Sequence, residues 1–271
     1  MSESQETLPR PRKSASDRRF STRPLTTQDE FRDAVDLQRL IWGFEDVELL
    51  PVRLFVVATK VGGQAFGAFD GERMVGFCLA IPGLKSGGAS YLHSHMLGVA
   101  PEYRDSGVGR MLKLHQRDDA LARSIRLIEW TFDPLEIKNA YFNVERLGAV
   151  VRRYVLNQYG TTTSALHGGL PTDRCIAEWW LDSPRVKSIV DGIGAFDRPA
   201  TLERIAVPAQ IGSIRREDVR LAREIQQEIS KRFGEYFDRG LAVVGFDRSP
   251  TAGTYLLGKW ESESPKVAHE D

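Results

Sequence analysis

From Thr27 the chain sets apolar residues among polar ones with a helical period. Phe31, Ala34, Leu37, Leu40 and Ile41 recur every three or four positions. Thr27 and Glu30 stand in the order of a capping box, so the period predicts a helix that begins beside Thr27. Beyond Pro51 the pattern shortens. Leu54 to Thr59, Gln64 to Phe69 and Arg73 to Ile81 are short apolar runs punctuated by glycine, with a turn at Asp70-Gly71, and they read as an antiparallel meander. A Gly/Ser loop over residues 83–88 leads to a further strand, Tyr91 to Val99. Arg110 to Ser124 returns to helical spacing, and Leu127 to Phe132 reads as a strand that Asp133-Pro134 ends. Ile137 to Leu147 predicts a helix stopped at Gly148, and Val150 to Leu156 and Cys175 to Leu181 predict two more strands.

This order predicts an α/β (α+β) domain: a mixed, mostly antiparallel central sheet with helices on both faces. After residue 200 the text changes. Val219, Ala222, Ile225, Ile229, Phe233 and Tyr236 mark one buried face of a long helix from Arg216 to Asp238, with Gly240 placed to cap it. Leu241 to Phe246 and Thr254 to Leu257 then predict a hairpin. The chain divides into a flexible tail over residues 1–20, a domain over 21–199 and a helix-hairpin extension over 200–271. Edges of that hairpin can pair with the domain or with a second subunit, which keeps a homodimer open.

Composition narrows the classes. Of 271 residues, 41% are apolar and 27% charged, the balance of a globular chain. Lysine plus arginine equals aspartate plus glutamate at 37 each, so no global field points to nucleic acid or an anionic membrane. No apolar run reaches the length of a membrane span and no leader opens the chain, so a cytoplasmic protein is expected. Cys78 and Cys175 lie in strand-like text without metal spacing, which predicts two buried reduced thiols and no metal.

The segment His93 to Arg110 carries the chemistry. A strand stops at Val99-Ala100-Pro101, a loop bearing Gly107 and Gly109 turns, and a helix begins. Such a turn directs unpaired amides and a positive helix end at one spot, the setting for a phosphate or diphosphate. A dinucleotide fingerprint would need a third glycine where Leu112 stands.

Arg104, Gly107 and Gly109 fit the pattern Gln/Arg-x-x-Gly-x-Gly/Ala, preceded by Val99-x-Pro101. In this the chain resembles the GNAT superfamily over about residues 25–181. The resemblance implies an acyl-CoA site, with acetyl-CoA or succinyl-CoA as co-substrate. Arg104, Asp105, Ser106, Gly107, Val108, Gly109 and Arg110 would hold the diphosphate, and Leu97, Gly98 and Val99 would bond pantetheine where two strands splay. Asn139 and Asn143, four apart on one helix face, would meet pantetheine or acceptor.

Transfer to an amine needs a base, and histidine titrates in the useful range. His93 and His95 alternate on one strand, so strict alternation puts them on one side together with Leu97 and Val99. A histidine pair at this distance from the motif resembles that of arylalkylamine N-acetyltransferases, where it passes protons from the amine. Glu129 and Asp133 are rival bases. The family's general-acid tyrosine falls on Val144 here, and Tyr141 is the nearest substitute. His167, Gly168 and Gly169 sit in a loop that would line the acceptor, while His115 and His269 read as surface residues. Trp179 and Trp180 must point to opposite faces. The resulting expectation is an N-acyltransferase acting on a small-molecule amine or amino acid. A protein N-acetyltransferase and a non-catalytic acyl-CoA sensor are the alternatives.

Overall fold

The structure, a computed structural model, describes residues 20–160 and 169–260. Among them one sheet of ten strands forms the spine. In chain order the strands are β1 (Phe20–Pro24), β2 (Gln64–Asp70), β3 (Arg73–Leu84), β4 (Ser90–Val99), β5 (Leu127–Phe132), β6 (Val150–Val155), β7 (Arg174–Trp180), β8 (Glu203–Pro208), β9 (Leu241–Arg248) and β10 (Ala252–Lys259). Across the sheet they run β1-β2-β3-β4-β5-β7-β6-β9-β10-β8. The pairing is antiparallel except between β4 and β5. The helices are α1 (Gln28–Trp42), α2 (Val52–Lys60), α3 (Val108–Ala122), α4 (Ile137–Tyr141), α5 (Pro184–Val186), α6 (Ile211–Glu217) and α7 (Val219–Asp238). α4 runs on into a π-helical turn, Phe142–Arg146, and α5 into another, Lys187–Asp191. The mixed sheet with helices on both faces is thus as the sequence pattern predicts.

α1 begins on its capping box, with the Glu30 amide donating to Thr27 Oγ1 at 3.2 Å and the Thr27 amide to Glu30 Oε2 at 3.0 Å. The first run of the predicted meander, Leu54 to Thr59, is helical instead and belongs to α2. Its buried residues are Phe55 and Ala58, three apart, while Val57 between them is exposed; a strand would have buried alternate residues. Phe55 stacks on Phe31 of α1, a packing contact available to the helical face that β-branched composition alone does not reveal. β1, β8 and α5 are further elements that periodicity did not reveal. Phe20, the last residue of the expected tail, opens β1; the rest of that tail lies outside the described residues.

The extension is not a separate body. β9 pairs with β6 through Val151 and Val243, so the sheet runs unbroken into it. Phe233 of α7 stacks on Tyr154 of β6 at 5.2 Å, and the Tyr255 hydroxyl donates to Pro134 O at 2.6 Å. Arg215 of α6 adds an ionic tether to Asp133 at 2.7 Å and Glu136 at 2.9 Å. Its side chain is 6% exposed and that of Asp133 11%, so little water replaces a lost partner. Arg215→Met is expected to destabilise the fold by about 3 kcal/mol, read by urea unfolding, because it leaves Asp133 without its guanidinium. Asp133, a rival base in the sequence, also accepts from the Leu135 amide at 2.8 Å and so turns the chain.

Burial pushes the Cys78 thiol up to about 12 and raises Cys175 well above its usual range, as expected for inert, protonated thiols. Among the described residues no helix is long and apolar enough to cross a membrane.

Candidate active site

β4 and β5 share only two rungs, Leu92 with Ile128 and His93 with Glu129, and then part. Beyond His93 the β5-facing edge of β4 is therefore open. The Ala100 amide donates to Val75 O at 2.9 Å, and antiparallel alternation then commits Gly98's backbone groups to β3 while turning those of Leu97 and Val99 into the splay. Leu97 and Val99 thus present backbone groups where a pantetheine arm would need them. Gly98 does something else: a Cβ there would lie 2.7 Å from both Ile41 and Trp42, so its bareness lets the end of α1 close on the strand.

A bulge alters the expected side-chain directions. Leu79 faces Met96 and Ala80 faces Ser94, which leaves His95 as an extra residue in β4. His93 and His95 stay together, their ring centroids 5.9 Å apart. Leu97 and Val99, however, point to the opposite face, where they approach the Cβ position of Gly109 at 3.7 and 3.8 Å. The alternation that placed all four on one side is broken at His95 by the added residue.

At the far end of β4, Pro101–Tyr103 forms one 3₁₀ turn and the loop from Arg104 to Gly107 is exposed. Asp105 and Gly107 take left-handed φ of 60° and 89°. Gly107 is the N-cap of α3 and offers no side-chain acceptor, so the amides of Val108, Gly109 and Arg110 have no partner within the helix; the first helical bond is Met111 to Gly107 at 3.0 Å. Ser106 Oγ donates back to Tyr103 O and braces the turn. The Arg110 guanidinium turns to Val190 O at 3.3 Å, so this residue offers its amide rather than its charge. These features suit a diphosphate, and the donor set fits coenzyme A.

On the histidine face the local field favours neutral rings. Burial, with the charges of His95, Lys113 and Lys85, brings His93 down to about 4, and desolvation lowers His95 as well. On the other face Lys113 of α3 fills the crotch of the splay, donating to Ser94 Oγ at 2.9 Å and lying 3.7 Å over the Trp130 ring. Burial brings its amine down to about 7 from 10.5. Between those two pH values the unfolded chain holds the extra proton, so stability should rise with pH across that window. Lys113→Met should flatten that slope and be the more stable protein at neutral pH, as measured by urea unfolding across pH.

Glu129, on the last rung, opens onto a cavity of about 450 Å³ lined by Lys85, Leu127, Glu129, Arg152, Arg153, Glu178 and Trp180. Paired strand residues share a face, so His93, Glu129 and Glu178 project together, and Leu127 and Trp180 follow at two-residue spacing. Glu129 holds Lys85 at 2.6 Å and Arg153, and Glu178 holds Arg152 and Arg153.

Residues 29–148 match the model of the acetyltransferase (GNAT) family. Over that stretch the chain is similar to GNAT acetyltransferases. No curated protein matches its sequence. It is similar in structure to the ribosomal-protein-S18-alanine N-acetyltransferase of Escherichia coli, at 17% identity and a TM-score of 0.48 over 61% of this chain and 96% of that one. It is also similar to yncA of Salmonella typhimurium, solved with its cofactor acetyl-CoA, at 12% identity and a TM-score of 0.49 over 60% and 95%. A third is an aminoglycoside 6'-acetyltransferase type Ii, at 19% identity and a TM-score of 0.48 over 60% and 98%.

Within and beside residues 29–148 the remaining candidates separate. Asn143 is buried and donates to Asn139 Oδ1 at 3.3 Å, so the pair does share a face. Val144 is fully buried and its carbonyl accepts from Arg185 at 2.9 Å, which makes the vacant tyrosine position a core position. Tyr141 lies under the Arg248 guanidinium of β9 at 5.2 Å, on the extension side. His115 is half-buried, stacked on Phe66 at 4.2 Å with Nδ1 2.9 Å from Thr22 Oγ1, and is not a surface residue. Trp179 is core and Trp180 lines the cavity, as opposite faces require. His167, Gly168 and His269 lie outside the described residues. Sequence reasoning passed over Lys85, Arg152, Arg153, Glu178 and Lys113. Glu129 and Glu178 inside apolar strands, beside the Arg-Arg of β6, were the available signal.

Proposed function

We propose that this protein is an N-acyltransferase that moves an acyl group, acetyl in the first instance and succinyl as the variant to test, from acyl-CoA to the amine of a small molecule. The observation that supports it is one line of geometry. An open helix N-terminus stands at one end of the β4–β5 splay, and the His93–Glu129 rung with its charged cavity stands at the other.

The amides of Val108, Gly109 and Arg110 would hold the diphosphate, and the outward backbone groups of Leu97 and Val99 would align pantetheine along β4. The bound thioester would supply an acyl carbon to which the amine nitrogen bonds while the carbon–sulfur bond breaks and the thiolate keeps the electron pair. His93, neutral in the fold, can receive the amine's proton, and His95 can pass it to solvent. Among the described residues Tyr141 is held by Arg248, so this reading leaves the thiolate to depart without a tyrosine donor.

The test is thiol release from acetyl-CoA and from succinyl-CoA with a panel of free amino acids, simple amines and N-terminal peptides. Turnover with small amines supports the proposal. Turnover confined to peptides moves the acceptor to protein, and none at all, with acyl-CoA binding intact in a thermal shift, leaves a sensor.

A further inference from the structure

The cavity beside His93 has a built-in asymmetry. Its carboxylates form the floor, with Glu129 and Glu178 side chains 5% and 2% exposed, while Lys85, Arg152 and Arg153 form the rim at 32%, 34% and 45%. Both acids are therefore spent on neutralising cations from below. Arg152 and Arg153 meet them through Nε and Nη2, and these bonds to Glu129 and Glu178 do not use the Nη1 donors of either guanidinium. Three cations against two carboxylates make the wall one charge positive. Leu127 and Trp180 supply an apolar side to the same space.

We propose that this cavity takes the carboxylate of the acceptor, so that the amine acylated is one that carries a carboxylate: an amino acid or a close analogue. The inference rests on the acyltransfer reading above and gives its substrate class. Adjacent guanidiniums recognise a carboxylate through paired, directional bonds that a neutral amide does not match. The volume, about 450 Å³, suits a ligand of amino-acid size. Position agrees with chemistry as well. Glu129 shares the last rung with His93, and Lys85 acts on the His93 ring through its charge. An α-amine two bonds from a carboxyl carbon held by Arg152 and Arg153 is thereby directed to the histidine side of the cavity. The groups facing His93 and the cavity are Lys85, His95, Glu129, Arg152, Arg153 and Glu178, with Lys113 beneath on the opposite face.

The experiment compares methionine, phenylalanine and glutamate with their α-amides under saturating acetyl-CoA. The acids are expected to show KM about tenfold or more below the amides, the penalty of an unmatched charged site. Arg153→Lys keeps the charge that both carboxylates need but loses the fork, and the acid-to-amide KM ratio should fall toward one; Arg152→Lys should do the same. Calorimetric titration of phenylalanine against phenylalaninamide without acyl-CoA repeats the comparison independently of turnover. Equal KM for acids and amides in the wild type, or a preference that survives both arginine variants, overturns the assignment. Tighter binding of the acid without thiol release from any amine would uphold the cavity and remove the acyltransfer reading, so the two failures are distinct.

Discussion

Gly109→Glu is expected to weaken acyl-CoA binding by about 100-fold while leaving the melting temperature unchanged or slightly raised. A Cβ at Gly109 meets only Leu97 and Val99, at the ordinary distances of 3.7 and 3.8 Å, so the backbone tolerates a side chain. Gly107 would not serve: its φ of 89° strains any substitute and would confuse folding with binding. The introduced side chain would stand in the first turn of α3, where a carboxylate gains roughly 0.3–1 kcal/mol from the helix end. That same carboxylate would occupy or repel from the amides meant for the diphosphate. Losing one or two charge-assisted bonds costs about 3 kcal/mol, which is the stated factor. Calorimetric titration with coenzyme A and a thermal melt of the same sample decide it. Undiminished affinity would mean that the open end of α3 is not the anion site.

How far the sequence carried this site depends on whether the controlling interaction is local. The α1 cap, the β5 boundaries and the turn after Pro101 are written in neighbouring residues and stand where the pattern puts them, except that α3 begins at Val108, two residues before Arg110. α2 departs from the predicted strand because it packs through Phe55 and Ala58, with Phe55 stacked on Phe31, contacts that no local run reveals. The bulge at His95 is likewise a property of two strands: only the register of β3 against β4 shows that a residue is spare. One extra residue sent Leu97 and Val99 to the far face, so the two histidines remain neighbours while their predicted companions do not join them. The cavity was the least legible feature, since Lys85, Glu129, Arg153 and Glu178 come from four separate segments and only pairing across β5, β7 and β6 makes them one wall. Edges of the hairpin posed an open choice in the sequence, and β6 is what one of them meets.

His93→Asn should lower turnover by about 100-fold or more, the usual worth of a placed proton acceptor, with acyl-CoA affinity unaltered because the anion site lies at the other end of β4. The pH profile separates this role from mere packing. With His93 held down to about 4, its ring is already neutral through the physiological range, so the rise of rate with pH belongs to deprotonation of the acceptor amine. Asparagine should therefore lower the whole profile without moving that limb. Stability gives the second readout. The unfolded ring takes a proton near 6.5 and the folded one only near 4, so between those values the unfolded state binds more protons and the wild type loses stability as pH falls. His93→Asn should abolish that loss, making the variant less active yet more acid-stable than the parent. An acid-stable variant with full turnover would show the shifted histidine to be a spectator, and Glu129, on the same rung, would become the base to examine.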